Sequence, residues 1–95
     1  MQILTNPSAT YLRPKLSLPP QEGSHRILHI HKNVPGVLSK INGQLSSHNI
    51  NIVGQYLKTN DNIGYVVVDV DKRLSKQAVE LLKEVPQTIK VRLLY

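Results

Sequence analysis

From Arg26 to Tyr95 the spacing of apolar residues switches between a period of two and one near 3.6. The order of those switches restricts the fold more than any single motif. Ile27-Leu28-His29-Ile30-His31 reads as a strand, with Leu28 and Ile30 on one face and Ile27, His29 and His31 on the other. Asn33-Val34-Pro35-Gly36 interrupts it. Val37, Leu38, Ile41 and Leu45 then recur at helical spacing and predict a helix from about Val37 to Ser47, ended by His48-Asn49. Ile50 to Thr59 predicts a second strand, and Asn60-Asp61-Asn62 with Gly64 a turn. Tyr65 to Asp71 is the clearest strand, with Val66, Val68 and Val70 opposite Tyr65, Val67, Asp69 and Asp71. Ser75 suits the N-cap of a second helix with the apolar stripe Ala78, Val79, Leu82 and Val85, stopped by Pro86. Thr88 to Leu94 predicts the last strand.

The order β-α-β-β-α-β predicts an α+β, ferredoxin-like fold, with both crossovers right-handed. Its four-stranded antiparallel sheet carries two helices on one face. The other face is expected to lack helical cover and to display Ile27, His29, His31, Tyr65 and Val67. Residues 1–25 read differently. They hold four of the six prolines, Pro7, Pro14, Pro19 and Pro20, which predicts a linker or arm, extended or disordered. Gly23-Ser24 reads as a flexible hinge before a folded domain over 26–95.

Function classes can then be weighed. Twelve Lys and Arg against six Asp and Glu give a formal charge of +6, which suits nucleic acid, an acidic membrane, an anionic small molecule or a merely solvated surface. Cysteine is absent, which excludes disulfides, thiolate metal sites and a Cys nucleophile. No apolar run approaches the ~20 residues of a membrane span, and the first residues do not read as a signal peptide, so the cytoplasm is the expected location. RNA-binding sheets of this topology stack bases on aromatic rings, and here Tyr65 has no second aromatic near it in its strand. No Ser/His/Asp arrangement is placed to activate a nucleophile, and Asp69 and Asp71 read as a solvated face. His29 and His31, at i and i+2, could touch one metal ion, but two ligands are too few, and His25 and His48 have no defined place beside them. The stretch His31 to Val37 is more informative. Pro35 pre-sets the backbone and Gly36 permits a tight turn. The unpaired amides of the helix start would then face a carboxylate, flanked by His31 and Asn33.

His29-Ile30-His31-Lys32-Asn33-Val34-Pro35-Gly36-Val37-Leu38 resembles the start of the ACT domain in bacterial, serine-inhibited D-3-phosphoglycerate dehydrogenases. The resemblance continues through Asn49-Ile50-Asn51-Ile52, Gln55-Tyr56-Leu57-Lys58-Thr59, Ile63 to Asp69, Val85-Pro86 with Thr88-Ile89, and Arg92-Leu93-Leu94-Tyr95. It covers 26–95 almost without interruption, and Pro14 to Pro20 resembles the segment that leaves the body of those enzymes. It implies a regulatory domain that forms a homodimer by side-by-side sheet pairing, through the first strand and first helix. L-serine would bind at the junction. His31, Asn33 and the backbone of Pro35, Gly36 and Val37 would come from one chain, and Asn51 with Ile52 from the other. It implies no catalytic residue, metal or cofactor here, with NAD confined to a parent dehydrogenase. The chain has no Gly-x-Gly-x-x-Gly fingerprint and no length for dehydrogenase domains, so it is expected not to be the catalyst itself. The family's hinge is often Gly-Gly, whereas Gly23-Ser24 stands here. An ACT-like module for another amino acid, or one serving only oligomerisation, is the alternative.

Overall fold

The computed structural model describes residues 22–95, so the calls on 1–21 lie outside the described residues. Four strands and two helices follow the expected order: β1 (Ser24–Lys32), α1 (Val37–Ser47), β2 (Ile52–Thr59), β3 (Ile63–Asp71), α2 (Ser75–Lys83) and β4 (Thr88–Leu93). All strand pairings are antiparallel, in the order β2-β3-β1-β4. The fold is the expected ferredoxin-like sandwich of one sheet and two helices.

Local chemistry explains the boundaries. α1 starts at Gly36, whose φ of 90° lies in the left-handed region where a Cβ is penalised. It ends where Asn49 adopts φ 59°. There the Asn49 amide donates to the Ser46 carbonyl at 3.0 Å and the Ile50 amide to the Leu45 carbonyl at 2.9 Å. That pair of bonds is the Schellman closure, and buried Ile50 and Leu45 supply its apolar contact. The expected N-cap role of Ser75 is not found. Ser75 is the first residue of α2, and its hydroxyl donates back to the Lys72 carbonyl and meets His25 Nδ1 at 2.7 Å. Asp71 caps instead, accepting from the Arg73 amide at the start of a single 3-10 turn, Lys72–Leu74.

The main core lies between sheet and helices. Ile27, Val66, Val68 and Val70 from the sheet meet Val37, Ile41 and Leu45 of α1 and Ala78, Leu81 and Leu82 of α2. This corrects the expected facing of β1. Ile27 pairs with Val68, His29 with Val66 and His31 with Gly64, which places all three on the helix-covered face. Alternation within one strand says which side chains share a face. Only the register with β3 says which face receives the helices. Tyr65 and Val67 do lie on the opposite face, joined there by Leu28 and Ile30 in a second buried cluster with Tyr56, Ile63 and Leu94 packed against it.

Asp69 is also corrected. It is buried rather than solvated, and its carboxylate accepts from Arg26 Nε at 2.7 Å and Nη2 at 2.8 Å. Two-point pairing of this kind is the geometry in which a buried carboxylate is tolerated. Asp71, the other acid of the strand, makes a surface pair with Arg73. The sheet also begins two residues before the expected domain boundary. Ser24 already pairs with Asp71, while Gly23, at φ 81°, turns the chain and accepts from the Lys72 amide. Of the two hinge candidates, Gly23 is the turn residue and Ser24 belongs to β1.

Candidate functional site

The residues from His31 to Val37 gather at one end of the molecule, where β1 gives way to α1. The β2–β3 turn fixes their position. Asn60 Oδ1 accepts from the amides of Asn62 and Ile63, which shapes that turn. The turn then holds Asn33 twice. The Asn33 amide donates to the Asn62 carbonyl at 3.0 Å, and its Nδ2 donates to the Asn60 carbonyl at 2.6 Å. With its amide and one Nδ2 hydrogen engaged, Asn33 presents Oδ1 as an acceptor at an exposed position.

Pro35 and Gly36 are exposed, and Val37 anchors the helix start in the core. No side chain caps α1 and no acidic residue stands in its first turn, so its positive end is not neutralised from within α1. A small anion there would meet amide donors in a favourable field.

His31 is buried at the rim of the same end. Gly64 makes room for it, since a Cβ on Gly64 would overlap the His31 ring at Nε2 and Cε1. Behind it lies His29, with the two Nδ1 atoms 3.3 Å apart. Burial pushes His29 down to about 4, with help from the neighbouring His31 ring, and burial lowers His31 as well. Both rings therefore rest neutral near pH 7.

Asn51 and Ile52 are elsewhere. Asn51 is exposed just after the end of α1, and Ile52 opens β2. β2 has eight residues, about 26 Å of extended chain, so Asn51 lies a strand length from the Asn33–Asn60 contact. The chain brings together His31, Asn33, Pro35, Gly36 and Val37, and it does not bring Asn51 and Ile52 to them. Sequence reading gave Asn60 only a turn and Thr88 only a strand start; in the fold Asn60 holds Asn33, and Thr88 Oγ1 lies 2.8 Å from His29 Nε2, contacts that form only after folding. Among the described residues no helix is long and apolar enough to cross a membrane.

Residues 27–90 match the family model for the AHAS small subunit-like ACT domain. D-3-phosphoglycerate dehydrogenase of Haemophilus influenzae is 49% identical over 82 residues, covering 86% of this chain and 20% of that protein. The enzyme of the same name from Escherichia coli K12 is 43% identical over 84 residues, with the same coverage. The chain thus spans about one fifth of the length of these curated relatives. Among solved structures, the ACT domain from GTP pyrophosphokinase of Chlorobium tepidum superposes with a TM-score of 0.66 at 19% identity, over 75% of this chain and 96% of that one. The ligand-free regulatory subunit of aspartate kinase from Thermus thermophilus gives 0.65 at 18%, over 76% and 52%. These two likenesses concern the fold. The family match over residues 27–90 shows that this chain belongs to the ACT domain family.

Proposed function

We propose that the chain is an amino-acid-sensing regulatory domain and that two copies joined along β2 hold L-serine at their junction. The observation that carries this reading is the separation of the two asparagines. Asn33 is tied to Asn60, beyond the last residue of β2, while Asn51 precedes the first. If β2 of each copy pairs antiparallel about a two-fold axis, the start of one strand lies beside the end of the other. Asn51 and Ile52 of the partner subunit then reach the turn that holds Asn33, and the same happens at the second, equivalent place.

This pairing revises the expected contact. β1 lies between β3 and β4 and cannot extend the sheet, whereas β2 is an edge strand among the described residues. Its helix-side positions suit a neighbour. Gln55 donates to Asn42 of α1 at 2.7 Å, and Leu57 is 40% exposed. α1 would therefore lie beside its symmetry mate, with β2 rather than β1 beneath it.

In the site, the carboxylate of serine takes the helix-start amides and His31, and the Oδ1 atoms of Asn33 and Asn51 accept from its ammonium and hydroxyl. Serine has seven heavy atoms, so even about −1.5 kcal/mol per atom caps binding near −10 kcal/mol. Micromolar affinity needs about −8 kcal/mol, which calls for enclosure by two chains rather than an open surface turn. The relatives' name suggests the activity under control, NAD-linked oxidation of 3-phosphoglycerate in a longer protein. Serine would inhibit by favouring one placement of the paired domains. Calorimetry with L-serine tests the reading, with D-serine, glycine and other amino acids as controls. Binding by the wild type and loss of at least tenfold in affinity in both Asn33→Ala and Asn51→Ala are expected. No heat with the wild type, or a better response to another amino acid, contradicts it.

A further inference from the structure

Behind His31 runs a chain of hydrogen bonds that ends on the backbone. Thr88 Oγ1 lies 2.6 Å from the Val85 carbonyl and 3.1 Å from the Leu82 carbonyl, and 2.8 Å from His29 Nε2. A hydroxyl has one proton, and two carbonyl oxygens face this one, so the proton goes to a carbonyl. Towards His29 the hydroxyl can only accept. His29 Nε2 therefore carries hydrogen, and the Leu82 carbonyl also favours a proton on this ring. A neutral His29 then has a bare Nδ1. His31 Nδ1, 3.3 Å away, must be the donor to it. A neutral His31 is left with a bare Nε2.

That Nε2 is the nitrogen able to meet a ligand. The His31 side chain has no other hydrogen bond, and no fully buried side-chain nitrogen or oxygen of the described residues lacks a partner, so Nε2, although it packs against Gly64 in a residue only 3% exposed, is not sealed from solvent. The backbone makes the whole arrangement possible. The β1–β4 register shifts between Ile30 and His31, which sets Thr88 opposite His31 and leaves Ile89 outside the regular pairing. The shift brings Thr88 to the helix-covered face beside both histidines.

We infer that Thr88 and His29 are positioning residues that fix His31 in its Nδ1–H form, so that a ligand carboxylate at Nε2 binds with uptake of one proton. The proton comes from solvent and joins the Nε2 lone pair, and the new N–H donates to a carboxylate oxygen. His31 Nδ1–H goes on donating to His29, so the relay is undisturbed. This rests on the effector reading above. The groups around the rings are Gly64 and Val66 from β3, Val91 and Thr88 from β4, and the carbonyls of Leu82 and Val85 after them in space. Apart from the lowering of His29 by the His31 ring, no charged side chain shifts either histidine. His31 is thus the group that takes the proton, because His29 remains neutral down to about pH 4.

Two measurements on the full chain test this. The first is nitrogen NMR of the histidine rings without ligand, in wild type, Thr88→Ser and Thr88→Val. Wild type and Thr88→Ser are expected to show His29 protonated at Nε2 and His31 protonated at Nδ1. Thr88→Val, isosteric but without the hydroxyl, should give mixed forms of both rings while the backbone spectrum stays folded. His31 protonated at Nε2 in the free wild type, or ring forms unchanged in folded Thr88→Val, overturns the relay. If Thr88→Val does not fold, the wild-type and Thr88→Ser ring forms decide alone. The second is serine calorimetry at pH 7.5 in buffers of different ionisation heat. About one proton should be taken up per serine, with Kd rising towards tenfold per pH unit. Binding with no proton uptake overturns the carboxylate contact at Nε2. Absence of serine binding sinks the effector reading and leaves the NMR result standing.

Discussion

The two buried histidines give the molecule a pH dependence of known sign. In the unfolded chain each would titrate near 6.5, and in the fold burial holds His29 down to about 4 and also lowers His31. The unfolded state therefore binds more protons between pH 6.5 and 4, and stability is full above that window and falls through it as acid is added. The loss approaches about 1.4 kcal/mol per pH unit per ring that must be charged. Urea unfolding from pH 7 to 4 should show this slope, and His29→Gln should flatten it. The opposite slope would mean that the rings are charged in the fold. Asp69 makes a second case. Its carboxylate takes two bonds from buried Arg26, so Asp69→Ala should cost about 3–5 kcal/mol by leaving the guanidinium without its counter-charge. A change under 1 kcal/mol in urea would place the pair in solvent.

At the scale of elements, much was legible because periodicity reports local structure directly. α1 runs from Val37 to Ser47 as its stripe of Val37, Ile41 and Leu45 requires, and Asn49 closes it by adopting the left-handed backbone that asparagine tolerates. What failed depended on neighbours. The facing of Ile27, His29 and His31 needed the register with Val68, Val66 and Gly64. The interior place of β1 needed the strand order, which no period carries. The shift that sets Thr88 opposite His31 leaves no mark in residue type, and neither does the one between Ile52 and Gly54 in β2. The candidate site was legible in its local half, His31 to Val37, because a strand end, a proline, a glycine and a helix start stand in sequence. Its other half, Asn51 and Ile52, entered only through the family resemblance. Leu57 tests the edge itself. On the helix side of β2 and exposed, it would be covered by the second copy. Leu57→Glu should leave the monomer folded and raise the dimer dissociation constant at least tenfold in sedimentation equilibrium. An unchanged constant would move the interface to another edge.

For the whole molecule, the proposed pairing gives each chain two half-sites that cannot meet within it. In a two-fold dimer each complete site draws His31, Asn33 and the α1 start from one copy and Asn51 from the other. A dimer that combines an Asn33→Ala chain with an Asn51→Ala chain then has one site with both asparagines altered and one with both intact. The direct measurement is to denature the two variants, refold them together in equal amounts, and titrate L-serine by calorimetry. Each variant alone should bind little or nothing. Random pairing makes about half of the dimers mixed, each with one intact site, so the mixture should recover about a quarter of the wild-type sites at wild-type affinity. A mixture as inert as its parents, while the wild type binds after the same refolding, would contradict a site shared between two chains.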